Sequence, residues 1–307
     1  MSAVPQSQSQ SSSRGAQTQV QGVPVRVPGD RWRLQVVHRS ELRYGGPVRS
    51  SYNEARMTPE NSSRQTTLRS RVEIEPTATV HAYRDYWGST VTAFDTHGPH
   101  TELVVKATSV VEAGPEPHLP DPVDWAALAE PDVLDRFGEF LRPSRLTAMD
   151  EPVVAAVREV VGDAGPREAG RLACRFVYDL MEYLTGSTNV KTNAMQAWTA
   201  GKGVCQDISH VTVGLLRALG LPARYVSGYL HPGPRSPNTT VTGESHSWIE
   251  WWCGTWVAYD PTMGRRLTDS YVRVGHGRDY GDVAPLRGTY SGGGSSMFVT
   301  VAMTELG

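Results

Sequence analysis

Lysine is nearly absent from this chain of 307 residues: Lys106, Lys191 and Lys202 stand against 27 arginines. Codon bias in a GC-rich genome accounts for that ratio, with carboxylate recognition by arginine as the functional alternative. Charge of one sign is also lacking. The formal net charge is −2, so no basic field calls for a nucleic acid partner. No apolar run approaches the roughly 18–20 residues of a membrane helix, and the N-terminus has no hydrophobic core of a signal peptide. Cysteine is scarce and odd in number, at Cys174, Cys205 and Cys253. An odd count does not suggest a disulfide framework, and no pair has zinc-site spacing. The expectation is a cytoplasmic protein with no membrane partner, no metal and no cofactor. Gly292-Gly293-Gly294 lacks the Lys-Ser/Thr of a phosphate-binding loop and reads as a turn before the last strand.

Composition divides what is present. Residues 1–28 are rich in Ser, Gln and Pro, without periodicity, and read as a disordered tail. From 29 to 113 short strand patterns alternate with turns. Leu68, Val72 and Ile74 alternate with polar neighbours, and Gly88-Ser89 separates two β-rich arms at 82–96. That spacing predicts a small β-sandwich, serving either stability or substrate docking. Alternate prolines make 114–123 a stiff linker. A second domain is expected over 124–307. It begins with one helix capped by Asp150 and another running from Gly165-Pro166 through Leu184. It closes with a strand at 297–306 that alternates Met297, Val299, Val301 and Met303.

Cys205 carries the chemistry in this pattern. A Gly-rich run ends at Gly203, and from there Ile208, Val211, Leu215, Leu216 and Leu219 recur at the spacing of a buried helix face, up to Gly220 and Pro222. A thiol on the first helical turn meets unpaired N–H groups and the positive end of the helix dipole, which favour thiolate. A nucleophilic cysteine needs a base, and the base an orienting group. His246 opens an aromatic-rich strand, Cys253-Gly254-Thr255 reads as a turn, and a second strand ends at Asp260-Pro261. The hairpin can bring His246 and Asp260 together. Cys174 reads as core, Cys253 as incidental and His210 as structural. Asp207 would oppose a thiolate unless it pointed away. The rings of Trp248, Trp251, Trp252 and Trp256 read as core filler, or one of them as a wall over a reacting acyl group.

Three stretches, GVCQDISHVTVGLLRALGLPARYVSGYL (203–230), SHSWIEWW (245–252) and WVAYDPTMG (256–264), resemble the transglutaminase-like superfamily. The similarity extends to bacterial members with their own N-terminal β domain, through the run from Val272 to Gly294. DISH stands where DFAH is commoner and DPTMG where DPTNG is commoner, which touches specificity rather than chemistry. The resemblance implies an α+β fold, with helices packed on an antiparallel sheet in a papain-like core. Carried over by position, Cys205 is the nucleophile, His246 the general base and acid, and Asp260 the orienting carboxylate. The implied partner is a protein or peptide carrying an amide bond. Attack by Cys205 would give a thioester acyl-enzyme, resolved by water or by an amine. The backbone N–H of Cys205 is one oxyanion donor, and Tyr183, Thr192 and Asn193 are candidates for the second. Glu250 is the only amine-recognition carboxylate the hairpin offers. A non-catalytic peptide- or protein-binding scaffold and an acetyltransferase using a thioester donor are the alternatives.

Overall fold

Alternation writes the first sheet. From Trp32 to Ser40 every second residue is buried, namely Trp32, Leu34, Val36, His38 and Ser40, while the residues between face outward to varying degrees. The computed structural model describes residues 31–115, 118–234 and 236–306; the expected tail at 1–28 lies outside the described residues. Its strands are β1 (Trp32–Ala55), β2 (Gln65–Glu75), β3 (Thr79–Arg84), β4 (Thr90–Ala113), β5 (Glu182–Tyr183), β6 (Lys202–Gly203), β7 (Ala223–Leu230), β8 (Thr240–Gly243), β9 (His246–Trp252), β10 (Trp256–Asp260), β11 (Arg265–Arg266), β12 (Tyr271–Gly277), β13 (Leu286–Tyr290) and β14 (Ser295–Leu306). Its helices are α1 (Trp125–Leu128), α2 (Pro131–Arg136), α3 (Gly138–Leu141), α4 (Glu151–Val161), α5 (Pro166–Leu180), α6 (Ala194–Ala200), α7 (Cys205–Ala218) and α8 (Tyr280–Val283).

The N-terminal β region is built on two 24-residue antiparallel strands, β1 and β4. The short strands expected at 33–44 and 101–113 are halves of these. Their ladder slips between Arg43 and Ser50, where Gly45-Gly46-Pro47 offers two flexible residues and one without an N–H. The other edge of β1 is shared: β14 pairs its first half (Arg33↔Leu306 to Tyr44↔Ser295) and β13 its second (Ser51↔Tyr290 to Ala55↔Leu286). The strand expected at 297–306 therefore forms, but it belongs to the N-terminal sheet rather than closing the second domain. Its alternating Val301 and Met303 complete a core with Trp32, Leu34, Val36 and Val111 of that sheet.

The second sheet runs β11-β10-β9-β7-β12, antiparallel throughout. Helices cover one face: Val154 and Val157 of α4, Val177 of α5 and Val211, Leu215 and Leu216 of α7 pack with Ile249 and Trp251 of β9. This is the α+β layering the resemblance implied. Leu215 and Leu216 are fully buried, and truncating either to Ala would cost about 2–5 kcal/mol. Asp150 sits at the N-cap of α4 but its side chain makes no capping bond. Helix α5 stops at Leu180 rather than 184, because Glu182 and Tyr183 pair in parallel with Lys202 and Gly203. Arg217 is buried, and its guanidinium gathers the carbonyls of Arg142, Ala223 and Arg278.

The sheets share a core across the expected boundary. Tyr229 of β7 and Val272 and Val274 of β12 pack with Trp32, Leu34 and Val301 of the first sheet. His38 Nδ1 and the Tyr229 hydroxyl meet at 3.0 Å between them, and burial lowers His38 to about 4, leaving a neutral ring. The linker is pinned, with Gly114 N–H donating to Arg64 O and Val123 N–H to Cys253 O. The described residues form one compact unit.

Candidate active site

Val204 takes extended backbone angles and Cys205 opens α7. At that position its N–H has no carbonyl one turn back to bond. Asp207 fixes the entry by folding back over it. Its Oδ2 accepts from Val204 N–H at 2.9 Å and from the Thr188 hydroxyl at 2.6 Å. The carboxylate is thus engaged by Val204 and Thr188, and burial raises its pKa. Gly203 lets this happen: a Cβ there would lie 2.6 Å from Asp207 Cβ and 2.9 Å from Oδ2.

The β9–β10 ladder pairs Trp252 with Trp256 and Ile249 with Tyr259. Asp260 follows at the end of the ladder, on a diagonal from His246. The two side chains meet at 2.7 Å, His246 Nε2 to Asp260 Oδ2. Asp260 has no exposed surface, and donors saturate it. Tyr271 Oη donates to Oδ2 at 2.7 Å, and the N–H groups of Thr262 and Met263 donate to Oδ1 at 2.9 and 3.1 Å. With Nε2 occupied, Nδ1 is left for Cys205, which lines the same cleft and whose ionisation is linked to that of His246.

Electrostatics fit a shared proton resting on the imidazole. For Cys205, burial pushes the thiol pKa up, but the hydrogen bond and charge of His246, helped by Ser247, outweigh burial and bring it below its ordinary value. For His246, burial pulls down, but the bonds to Asp260 and Cys205 outweigh it and raise the ring to about 10. Cys174 and Cys253 behave in the opposite way. Both are fully buried, and burial raises both.

These groups open on a cleft of about 550 Å³. Tyr183 lines it, half exposed, and the charge on Cys205 raises its phenol after burial does. Thr192 and Asn193 lie elsewhere. Thr192 Oγ1 accepts from Asn189 N–H, and Asn193 caps α6 through Gln196 in a capping box, so neither lines the cleft. Two residues of the site were not expected from the sequence: Tyr271 bonds Asp260, and Ser247 sits beside the sulfur. Tyr280, in a stretch the sequence places at the border of the crevice, lines the cleft. The alternation of β9 could have marked Ser247 as facing α7; nothing local marks Tyr271. The four hairpin tryptophans do not line the cleft. Trp248 and Trp251 are core, Trp252 packs on Phe137, and Trp256 lies 3.8 Å from the Arg224 guanidinium. Glu250 is spent too, being buried and paired with Arg224 and Arg273. His210 is neutral and structural: burial drops it to about 3, and its Nε2 accepts from Tyr280 N–H.

A second cavity of about 420 Å³ lies on the sheet face away from the helices, lined by Trp248, Arg224 and Arg273 with no cysteine. Among the described residues no cluster of His, Cys, Asp and Glu could hold a metal ion. No helix among them is long and apolar enough to cross a membrane.

Residues 34–112 match the bacterial transglutaminase-like N-terminal region and 155–261 the transglutaminase-like superfamily core. An uncharacterized protein of Mycobacterium leprae is 43% identical over 277 residues, covering 90% of this chain and 99% of its own. The chain belongs to the transglutaminase-like superfamily. A second superfamily relative, an uncharacterized protein of Mycobacterium tuberculosis, is 33% identical over 83% of this chain and 87% of its own. The fold of a Cytophaga hutchinsonii protein, proposed to be a cysteine protease, superposes with a TM-score of 0.71 at 21% identity, covering 91% of this chain and 92% of that one. Membership and fold together support a cysteine-based catalytic role.

Proposed function

We propose that the protein is a cysteine-dependent enzyme acting on amide bonds of peptides or proteins, by acyl transfer or hydrolysis through a thioester. The observation that carries this is the set Cys205, His246 and Asp260, with the carboxylate 2.7 Å from the ring and the ring and the sulfur lining one cleft. The Cys205 thiolate attacks the carbonyl carbon. The oxyanion is met by the backbone N–H of Cys205, with Tyr183 as the side-chain donor, since it lines the same cleft. The proton on His246 passes to the leaving nitrogen as the C–N bond breaks, leaving a thioester. Water or an amine then attacks, His246 takes its proton, and the sulfur leaves as thiolate. Asp260 holds the ring in the productive orientation and stabilises its charged form.

The experiment is incubation with a peptide library and a labelled primary amine, followed by mass spectrometry of the peptides and of the protein. A thioester adduct on Cys205 is expected. Label incorporation identifies transfer, and peptide cleavage alone identifies hydrolysis. If Cys205→Ala changed no activity, a binding scaffold would replace this reading. Dependence on a thioester donor would favour the acetyltransferase alternative.

A further inference from the structure

One wall of the cleft comes from the N-terminal sheet. Met297, Val299, Val301 and Met303, alternate residues of β14, line it with Val241 and Gly243 of β8. Strand β8 pairs with β14 only from Val301 to Thr304. Over Ser295–Thr300, β14 has β1 on one side and, among the described residues, no strand on the other. Met297 is 49% and Phe298 54% exposed on that stretch. Unpaired backbone with exposed apolar side chains is a template for a further strand. The lane is set by β8: beyond Gly243 the chain leaves the sheet through Glu244 and Ser245 to reach His246. Glu244 is exposed, makes no ion pair among the described residues, and is the one charged side chain lining the cleft beside the Cys205–His246 pair.

We infer that the cleft takes its substrate as an extended polypeptide that adds to the β14 edge at 295–300, in line with β8. Apolar side chains lie against Met297 and Val299, and a cationic residue lies against Glu244. Backbone pairing supplies affinity, and the pocket and the carboxylate supply selection. The N-terminal β region is then half of the substrate site. This rests on the proposed chemistry only in taking the cleft as the reacting site.

The test uses the full chain carrying Cys205→Ala, so that peptides bind without turnover. Fluorescein-labelled hexapeptides of alternating Val and Thr, with one Arg, Glu or Gln walked through each position, are titrated by anisotropy. At one position Arg should bind about tenfold tighter than Glu, and Glu244→Arg should reverse the order. Backbone N-methylation should weaken binding about tenfold at alternate amides and leave the intervening ones unchanged. Equal affinity for Arg and Glu peptides, or no alternation on N-methylation, overturns the inference. Alkylation of Cys205 in the unmodified protein is read separately, so a failure of the chemistry is distinguishable from a failure of docking.

Discussion

The hydroxyl of Tyr271 lies 2.7 Å from Oδ2 of Asp260, the same oxygen that accepts from His246. Two strands thus aim donors at one carboxylate with no exposed surface. Removing the phenol leaves that oxygen short of a donor, at a cost of about 1.5–3 kcal/mol for a bond to a charged group. Tyr271→Phe should lower stability by that amount in denaturant unfolding. Turnover should fall with it while KM holds, because the ring orientation and not the substrate contact is disturbed.

Asp260→Asn removes the negative charge that helps hold the proton on His246. The ring pKa should fall from about 10, and the Cys205 pKa should rise as its cationic partner weakens. Activity should drop about 10²–10⁴-fold, with the acid limb of the pH–rate profile moved to higher pH. Steady-state kinetics across pH checks this; an unmoved acid limb would show that Asp260 does not govern the pair.

Gly203→Ala drives a methyl group into Asp207. The carboxylate then loses its grip on Val204 N–H and Thr188, and the start of α7 shifts. Such overpacking costs about 1–3 kcal/mol. Alkylation of Cys205 should slow more than that of a free thiol in the same buffer, as read by mass spectrometry of timed samples.

His246 also predicts a pH dependence of stability. Its folded pKa of about 10 lies above the ordinary value of 6.5. A raised histidine pKa contributes stability that is fully present below the unfolded value and lost as pH rises through the folded one. The lowered Cys205 pKa opposes this loss until the unfolded thiol itself ionises at about 8.5, so the melting temperature of the unmodified protein should decline mainly from there to about 10. His246→Gln should lack that component of the decline.

The local part of the site was legible in the sequence. A helix start at Cys205 follows from a Gly-rich run and a three-to-four apolar spacing, and the hairpin holding His246 and Asp260 follows from a turn between two aromatic strands. Long-range pairing was not legible. The alternation of 297–306 gives a strand but not its neighbour, so nothing in it showed that β14 runs beside β1 and walls the cleft. Asn193 stands in the sequence as an oxyanion candidate, and the position of α6 makes it a helix cap instead. Glu250 looks available on its strand until Arg224 and Arg273, from two other strands, neutralise it.

The central claim is that Cys205 rests as a thiolate beside a protonated His246. The direct measurement is the rate of iodoacetamide modification at each cysteine, mapped by mass spectrometry across pH. Cys205 should react at a rate that levels off below the ordinary thiol pKa, with Cys174 and Cys253 protected by burial. A Cys205 rate that climbs only near the ordinary thiol pKa of about 8.5, unchanged by His246→Gln, would contradict it.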